Sequence, residues 1–138
     1  VGDTLEIRNN AALESLDGLQ GLTSGLSSQL TITSNDSLSS LEGLNNLTTL
    51  PYTTIQHNDS LTSLDGLEAV TTVDQIYVNS NDSLNSIEAL NSIVDAGSTI
   101  NITGNRFLCL SSVESFIGRL TSLGWTGSSS TGWNDTGC

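Results

Sequence analysis

Apolar residues in this chain follow two alternating regimes. In the first, apolar and polar positions alternate over three residues: Leu5-Glu6-Ile7, Leu30-Thr31-Ile32, Thr53-Thr54-Ile55, Ile76-Tyr77-Val78 and Ile100-Asn101-Ile102. Period-two alternation rich in β-branched residues predicts a half-buried strand at each place. Leu5 and Ile7, Leu30 and Ile32, Ile55, Ile76 and Val78, and Ile100 and Ile102 are then the inward-facing set. In the second regime leucines recur every third residue, as at Leu13, Leu16, Leu19 and Leu22, or Leu38, Leu41, Leu44 and Leu47. That spacing fits a 3₁₀-like or extended return with one apolar face.

An asparagine marks each passage from strand to return: Asn10, Asn35, Asn58, Asn81 and Asn105, at intervals of 25, 23, 23 and 24 residues. The segments that follow are near copies, at 10–19, 35–44, 58–67 and 81–90, with a degraded copy at 105–114. A fixed period of this length is the mark of a solenoid, in which each repeat buries its apolar face only against its neighbours. The expectation is a right-handed solenoid of leucine-rich-like repeats, about five coils of 23–25 residues with one parallel β-sheet. The asparagines are assigned a structural role. A primary amide supplies donors and an acceptor to backbone groups turned inward at the corner, and reaches the next copy.

After Asn105 the period lapses. Ser111 and Glu114 read as a capping box, and Val113, Phe116, Ile117, Leu120 and Leu123 form one apolar face of a helix ending at Gly124. A single domain is expected, with the repeats at 1–104 and a last partial repeat plus cap at 105–138. Trp125 and Trp133 are expected to cover the end of the core. No equivalent amphipathic segment precedes Leu5, so the N-terminal edge is expected either to be shielded by something outside this sequence or to pair with another molecule. The first residues carry neither a basic n-region nor an apolar h-region, so any signal peptide is expected to lie outside the sequence.

These residues resemble the receptor L-domain-like branch of leucine-rich-repeat proteins. The strand Leu-x-Ile-x-x-Asn followed by Asn-Asp-Ser-Leu-x-Ser-Leu-Asp/Glu-Gly-Leu is similar to that family's repeat. The ending from Leu108 to Cys138 looks like the cysteine-containing cap of its secreted members. The likeness runs from Leu5 to Cys138, with Asn-x-x-Leu standing where ordinary leucine-rich repeats have Asn-x-Leu. It implies an extracellular recognition or surface module and brings no catalytic residues.

Charge narrows the partners. Fifteen acidic residues against three basic ones give a net charge of −12, which repels nucleic acid and anionic membranes. The basic residues are Arg8, Arg106 and Arg119, too few and too scattered for a phosphate clamp, and no apolar run is long enough to insert in a bilayer. Cys109 and Cys138 read most simply as one disulfide tying the tail to the last repeat in an oxidising compartment, the alternative being two separate buried thiols.

Candidate binding residues are the outward strand positions: Glu6 and Arg8, Thr31 and Thr33, Thr54 and Gln56, Tyr77 and Asn79, Asn101 and Thr103. Two acidic columns recur up the coils, Asp36, Asp59 and Asp82 in one, and Asp17, Glu42, Asp65 and Glu88 in the other. Side chains closing local turns are the favoured account of both, with Ca²⁺ held between carboxylates and carbonyls as the alternative and no metal site assigned. Of six Asn-X-Ser/Thr sequons, Asn35, Asn58 and Asn81 belong to the ladder, which leaves Asn46, Asn101 and Asn134 for glycan attachment. His57 occupies the repeat position of Asn9, Ser34, Ser80 and Gly104, so it reads as a surface substitution and no catalytic set is assigned. Two function classes follow. One is a module that binds a protein or glycan through its sheet face. The other is a subunit that stacks head-to-tail through its uncapped N-terminal edge.

Overall fold

Backbone pairing extends each strand well beyond its alternating core. The computed structural model describes residues 3–24 and 26–138; expectations about Val1 and Gly2 lie outside them. Six strands are seen among the described residues: β1 (Asp3–Arg8), β2 (Leu26–Thr33), β3 (Thr49–Gln56), β4 (Thr72–Asn79), β5 (Asp95–Thr103) and β6 (Ser128–Ser130). They form one parallel sheet in chain order. Four turns of solenoid join β1 to β5, and a fifth return reaches β6 through helix α1 (Leu110–Ser122). The register aligns the repeats as their asparagines do: Leu30 pairs with Thr53, and Ile55 with Val78.

The three-residue leucine period is a hydrogen-bond period. Leu38 donates its N–H to the Asn35 carbonyl (3.0 Å), Leu44 to Leu41 (3.1 Å) and Leu47 to Leu44 (3.0 Å). The next coil repeats the pattern at Leu61, Leu67 and Val70. Each turn closes over three residues and returns a side chain to the same face, so Leu38, Leu41, Leu44, Leu61, Leu64 and Leu67 are wholly buried. The N–H of Leu41 departs from the series and donates across to the Asp65 carbonyl of the next coil (2.9 Å).

The asparagines form a continuous, polar column. The Asn35 Nδ2 donates to the Ile7 carbonyl (3.0 Å), and its Oδ1 accepts from the Asn10 backbone N–H (3.2 Å). Asn58 does the same toward Ile32 and Asn35, Asn81 toward Ile55 and Asn58, and Asn105 toward Val78 and Asn81. Every oxygen therefore points toward the preceding coil. Asn35, Asn58, Asn81 and Asn105 are fully buried, a position an amide tolerates only when its donors and acceptor are met.

The ladder has a sixth rung. Asn134 Oδ1 accepts from the Asn105 N–H (3.1 Å), while its Nδ2 donates to Ile102 (2.7 Å) and Thr131 (2.8 Å). This corrects its reading as a glycosylation site, because the amide nitrogen a glycan would need is buried and spent within the protein. The tail after α1 is thus an abbreviated coil, with β6 as its strand, and the role expected of the tryptophans divides. Trp125 packs against the core and donates Nε1–H to the Gly97 carbonyl (2.7 Å), whereas Trp133 is 89% exposed and covers nothing. Trp133 occupies the corner just before the rung, with φ of 64°.

Helix α1 closes the core with Val113, Phe116 and Leu120. Its N-cap is Cys109 and no side chain caps it, so the expected Ser111–Glu114 box does not form. At the other end Gly124 (φ 98°) donates to Thr121 and Trp125 donates to Leu120, a Schellman stop that turns Leu123 outward, away from the expected apolar face. The Arg119 guanidinium donates to the carbonyls of Ile93 (2.7 Å) and Leu90 (3.3 Å), tying the helix to the preceding return. Cys109 and Cys138 form a disulfide. In the chain-entropy account, closing a loop of this length stabilises by ~3–4 kcal/mol. Cys138→Ser should lower the urea midpoint accordingly, and an unchanged midpoint would mean that the sixth rung alone holds the tail.

Burial is weaker in the first coil. Leu5, Ile7, Leu13, Leu19, Leu22 and Leu26 are only partly buried, where their counterparts in the middle coils are sealed.

Candidate functional site

Strand alternation and register together set three outward rows on the sheet. The middle row runs Glu6, Thr31, Thr54, Tyr77, Asn101, and a second runs Arg8, Thr33, Gln56, Asn79, Thr103. All ten residues selected as candidates therefore share one face, in the expected order. A third row, Thr4, Gln29, Tyr52, Gln75, Thr99, was not anticipated. It comes from the strand extension upstream of the alternating cores. The clue in the sequence is the residue just before each alternating core, Thr4, Gln29, Tyr52, Gln75 and Thr99, which continues the alternation one step upstream in every repeat.

The added row pairs the tyrosines. Tyr52 and Tyr77 lie on adjacent strands, diagonal to one another, with ring centroids 5.2 Å apart and planes tilted by 35°. Aromatic side chains reach each other across such a diagonal. Tyr77 is half-buried and its hydroxyl donates to Gln75 Oε1 (3.2 Å), while Tyr52 is 39% exposed. Neighbouring polar groups hold each other as well. Gln29 Nε2 donates to Thr31 Oγ1 (2.8 Å), and the Thr103 hydroxyl lies within hydrogen-bond reach of Asn79 Oδ1 (3.0 Å) and Asn101 Oδ1 (3.1 Å). These rows enclose a depression of about 280 Å³ between Arg8 and Asn79, with both tyrosines in its wall. Thr33 Oγ1 is buried there without a hydrogen-bond partner.

Electrostatically this face differs from the molecule as a whole. Its outward rows from β2 to β5 hold threonine, glutamine, asparagine and tyrosine, and the charges at the β1 edge, Glu6 and Arg8, pair with each other at 2.9 Å.

Most other acidic residues lie in the corners and returns, while Asp3, Asp74 and Asp95 stand near the upstream ends of β1, β4 and β5, outside these rows. The column of Asp36, Asp59 and Asp82 ends on Arg106, whose guanidinium meets Asp82 at 2.6 Å. In the second column the turn-closing groups are Ser63 and Ser86, which accept from the N–H of Asp65 and Glu88. Hydroxyls thus take the local role in that column, and no such bond to a backbone N–H is seen for Asp36, Asp59 or Asp82 among the described residues. No group of three His, Cys, Asp or Glu side chains suited to a metal ion occurs among the described residues. His57 sits with Asn9, Ser34, Ser80 and Trp133 at a corner of positive φ (54° for His57), a conformation histidine and asparagine tolerate better than most residues.

Of the remaining sequons, Asn46 is exposed but donates Nδ2–H to the Gln20 carbonyl (2.7 Å), and Asn101 lies half-buried within the sheet face. A second groove of about 440 Å³ lies between the return at residues 85–91 and α1. Arg119, the one cation on its wall among the described residues, is committed to backbone carbonyls, and Glu88 also lines the groove. Comparison with family models, with curated proteins and with solved structures finds no match to this chain.

Proposed function

We propose that this chain is a non-enzymatic extracellular recognition or adhesion module of leucine-rich-like repeats, akin to the receptor L-domain branch, that binds a protein or glycan through its sheet face. The observation that carries the reading is the depression beside Tyr52 and Tyr77, on a neutral face of a strongly acidic molecule. Rigid parallel strands position its side chains, and mutual hydrogen bonds hold several in place before any partner arrives, which lowers the ordering cost of binding. The disulfide is compatible with an oxidising environment, and no helix among the described residues is long and apolar enough to cross a membrane.

A panel of extracellular proteins and glycans displayed on a surface tests the reading. A retained ligand should be weakened about tenfold or more by Gln56→Arg, which fills the depression with a charged side chain, at unchanged melting temperature. Ligands indifferent to that change would place recognition elsewhere.

A second reading, head-to-tail assembly, is favoured by the half-buried leucines of the first coil. Sedimentation and electron microscopy across protein and salt concentration decide it. Filaments support assembly, and a monomer at every concentration overturns it.

A further inference from the structure

Resting on the sheet face as the binding surface, we propose that its ligand is an uncharged oligosaccharide, seated in the depression with one sugar ring against Tyr52. Three observations converge on this chemistry. The first is aromatic. An exposed tyrosine backed by a second ring offers a firm apolar plate, and the electron-rich face of such a ring attracts the weakly positive C–H groups of a pyranose. Tyr77, anchored through Gln75, braces Tyr52 at 5.2 Å.

The second observation is the type of polar group around the plate. Gln29, Gln56 and Asn79 carry amides that both donate and accept, and Thr31, Thr33 and Thr54 carry hydroxyls that do the same. Sugar hydroxyls are also donor and acceptor at once, so each finds a complement without any fixed charge. The third observation is what the face lacks. Protein interfaces are most apolar at their cores, yet none of the outward rows from β2 to β5 holds a leucine, isoleucine, valine, phenylalanine or tryptophan. Charged saccharides are disfavoured too: a polyanion is repelled by a net charge of −12, and among the described residues no carboxylate lines the depression to hold a polycation. A cavity near 280 Å³ falls just under the ~300 Å³ at which ligand sites begin. That size suits a short saccharide segment.

The test is calorimetric titration of the whole chain with cellohexaose, laminarihexaose and mannohexaose, beside polygalacturonate and chitosan oligomers as charged counterparts. At least one neutral hexasaccharide should bind, with its affinity changing less than about twofold between low and high salt, since no counterions are released. Tyr52→Ala should weaken it about tenfold or more, while Tyr52→Phe, which keeps the ring, stays within about threefold. Absence of binding by all three neutral sugars, or preference for a charged one, overturns the carbohydrate assignment. If a protein ligand is instead captured in a Tyr52- and Gln56-dependent way, the carbohydrate assignment fails and recognition by the sheet face stands. If neutral sugars bind but ignore Tyr52→Ala and Gln56→Arg, both readings fail together. Unchanged melting curves for the three variants separate loss of the site from loss of the fold.

Discussion

Asn81→Leu is expected to destabilise the protein by about 3–5 kcal/mol, close to the limit for single substitutions. Leucine is nearly isosteric with asparagine and suits the core on hydrophobicity alone, so the loss isolates the ladder. Asn81 Oδ1 accepts from both the backbone and side-chain nitrogens of Asn58 (3.1 and 3.2 Å), and its Nδ2 donates to the carbonyls of Ile55 (3.0 Å) and Asn79 (3.3 Å) and to Asn105 Oδ1 (3.3 Å). Replacement leaves the Asn58 N–H without a partner in a region where water does not reach, and removes the other four hydrogen bonds of the rung. Stranding a buried group costs about 1–3 kcal/mol, more than a hydrogen bond contributes when its loss exposes both partners to water. Asn10→Ala, on the exposed first rung, should cost under about 1 kcal/mol because solvent replaces what is lost. Urea titration of the two variants reads the contrast. Equal losses would show that the ladder does not act through burial.

Gly66→Ala should be comparably damaging, at about 3 kcal/mol or more, for a backbone reason. Gly66 has φ of 112°, and a Cβ there would stand 2.1 Å from the Leu41 carbonyl oxygen of the preceding coil. Gly43 is held in the same way against Leu16, with φ of 110°. The control is Gly18, at the same repeat position in the first coil. A Cβ there meets nothing within 4 Å, and its φ is not positive. Gly18→Ala should therefore be neutral or stabilising by up to about 1 kcal/mol, through loss of freedom in the unfolded chain. The fourth coil bears on the same point. Ala89 replaces the glycine there, and the return becomes a regular 3₁₀ segment, Glu88–Ser92, in which alanine is acceptable. Thermal melting of Gly66→Ala and Gly18→Ala decides; matching behaviour would mean that contact between coils does not set the conformation.

Most of the repeat could be read from residue spacing. The strand cores, the leucine turns and five asparagine rungs each depend on interactions that recur once per coil, so a translational rule predicts them, and the disulfide partners follow from there being just two cysteines. The rule failed where translation is interrupted. Asn134-Asp135-Thr136 matches the Asn-Asp-Ser of three earlier corners, but inserting α1 stretches the interval from Asn105 to 29 residues, and the sixth rung was hidden by its distance. The outward strand positions are legible one strand at a time, whereas the row that holds Tyr52 lies one residue before the three-residue cores in every repeat and shows as a row only once the strands are in register.

What the sequence by itself determined, then, is the period: where the chain turns, which side chains face inward, and that an amide is needed at each corner. Those are local requirements of hydrogen bonding and burial, stated again in every coil. Only the tertiary structure decided what stands beside what across coils. It brought Tyr77 behind Tyr52, set a neutral face on an acidic molecule, turned Trp133 to solvent and drew Asn134 into the core. These depend on the register between strands and on where the inserted helix returns the chain, and neither is encoded within any single repeat.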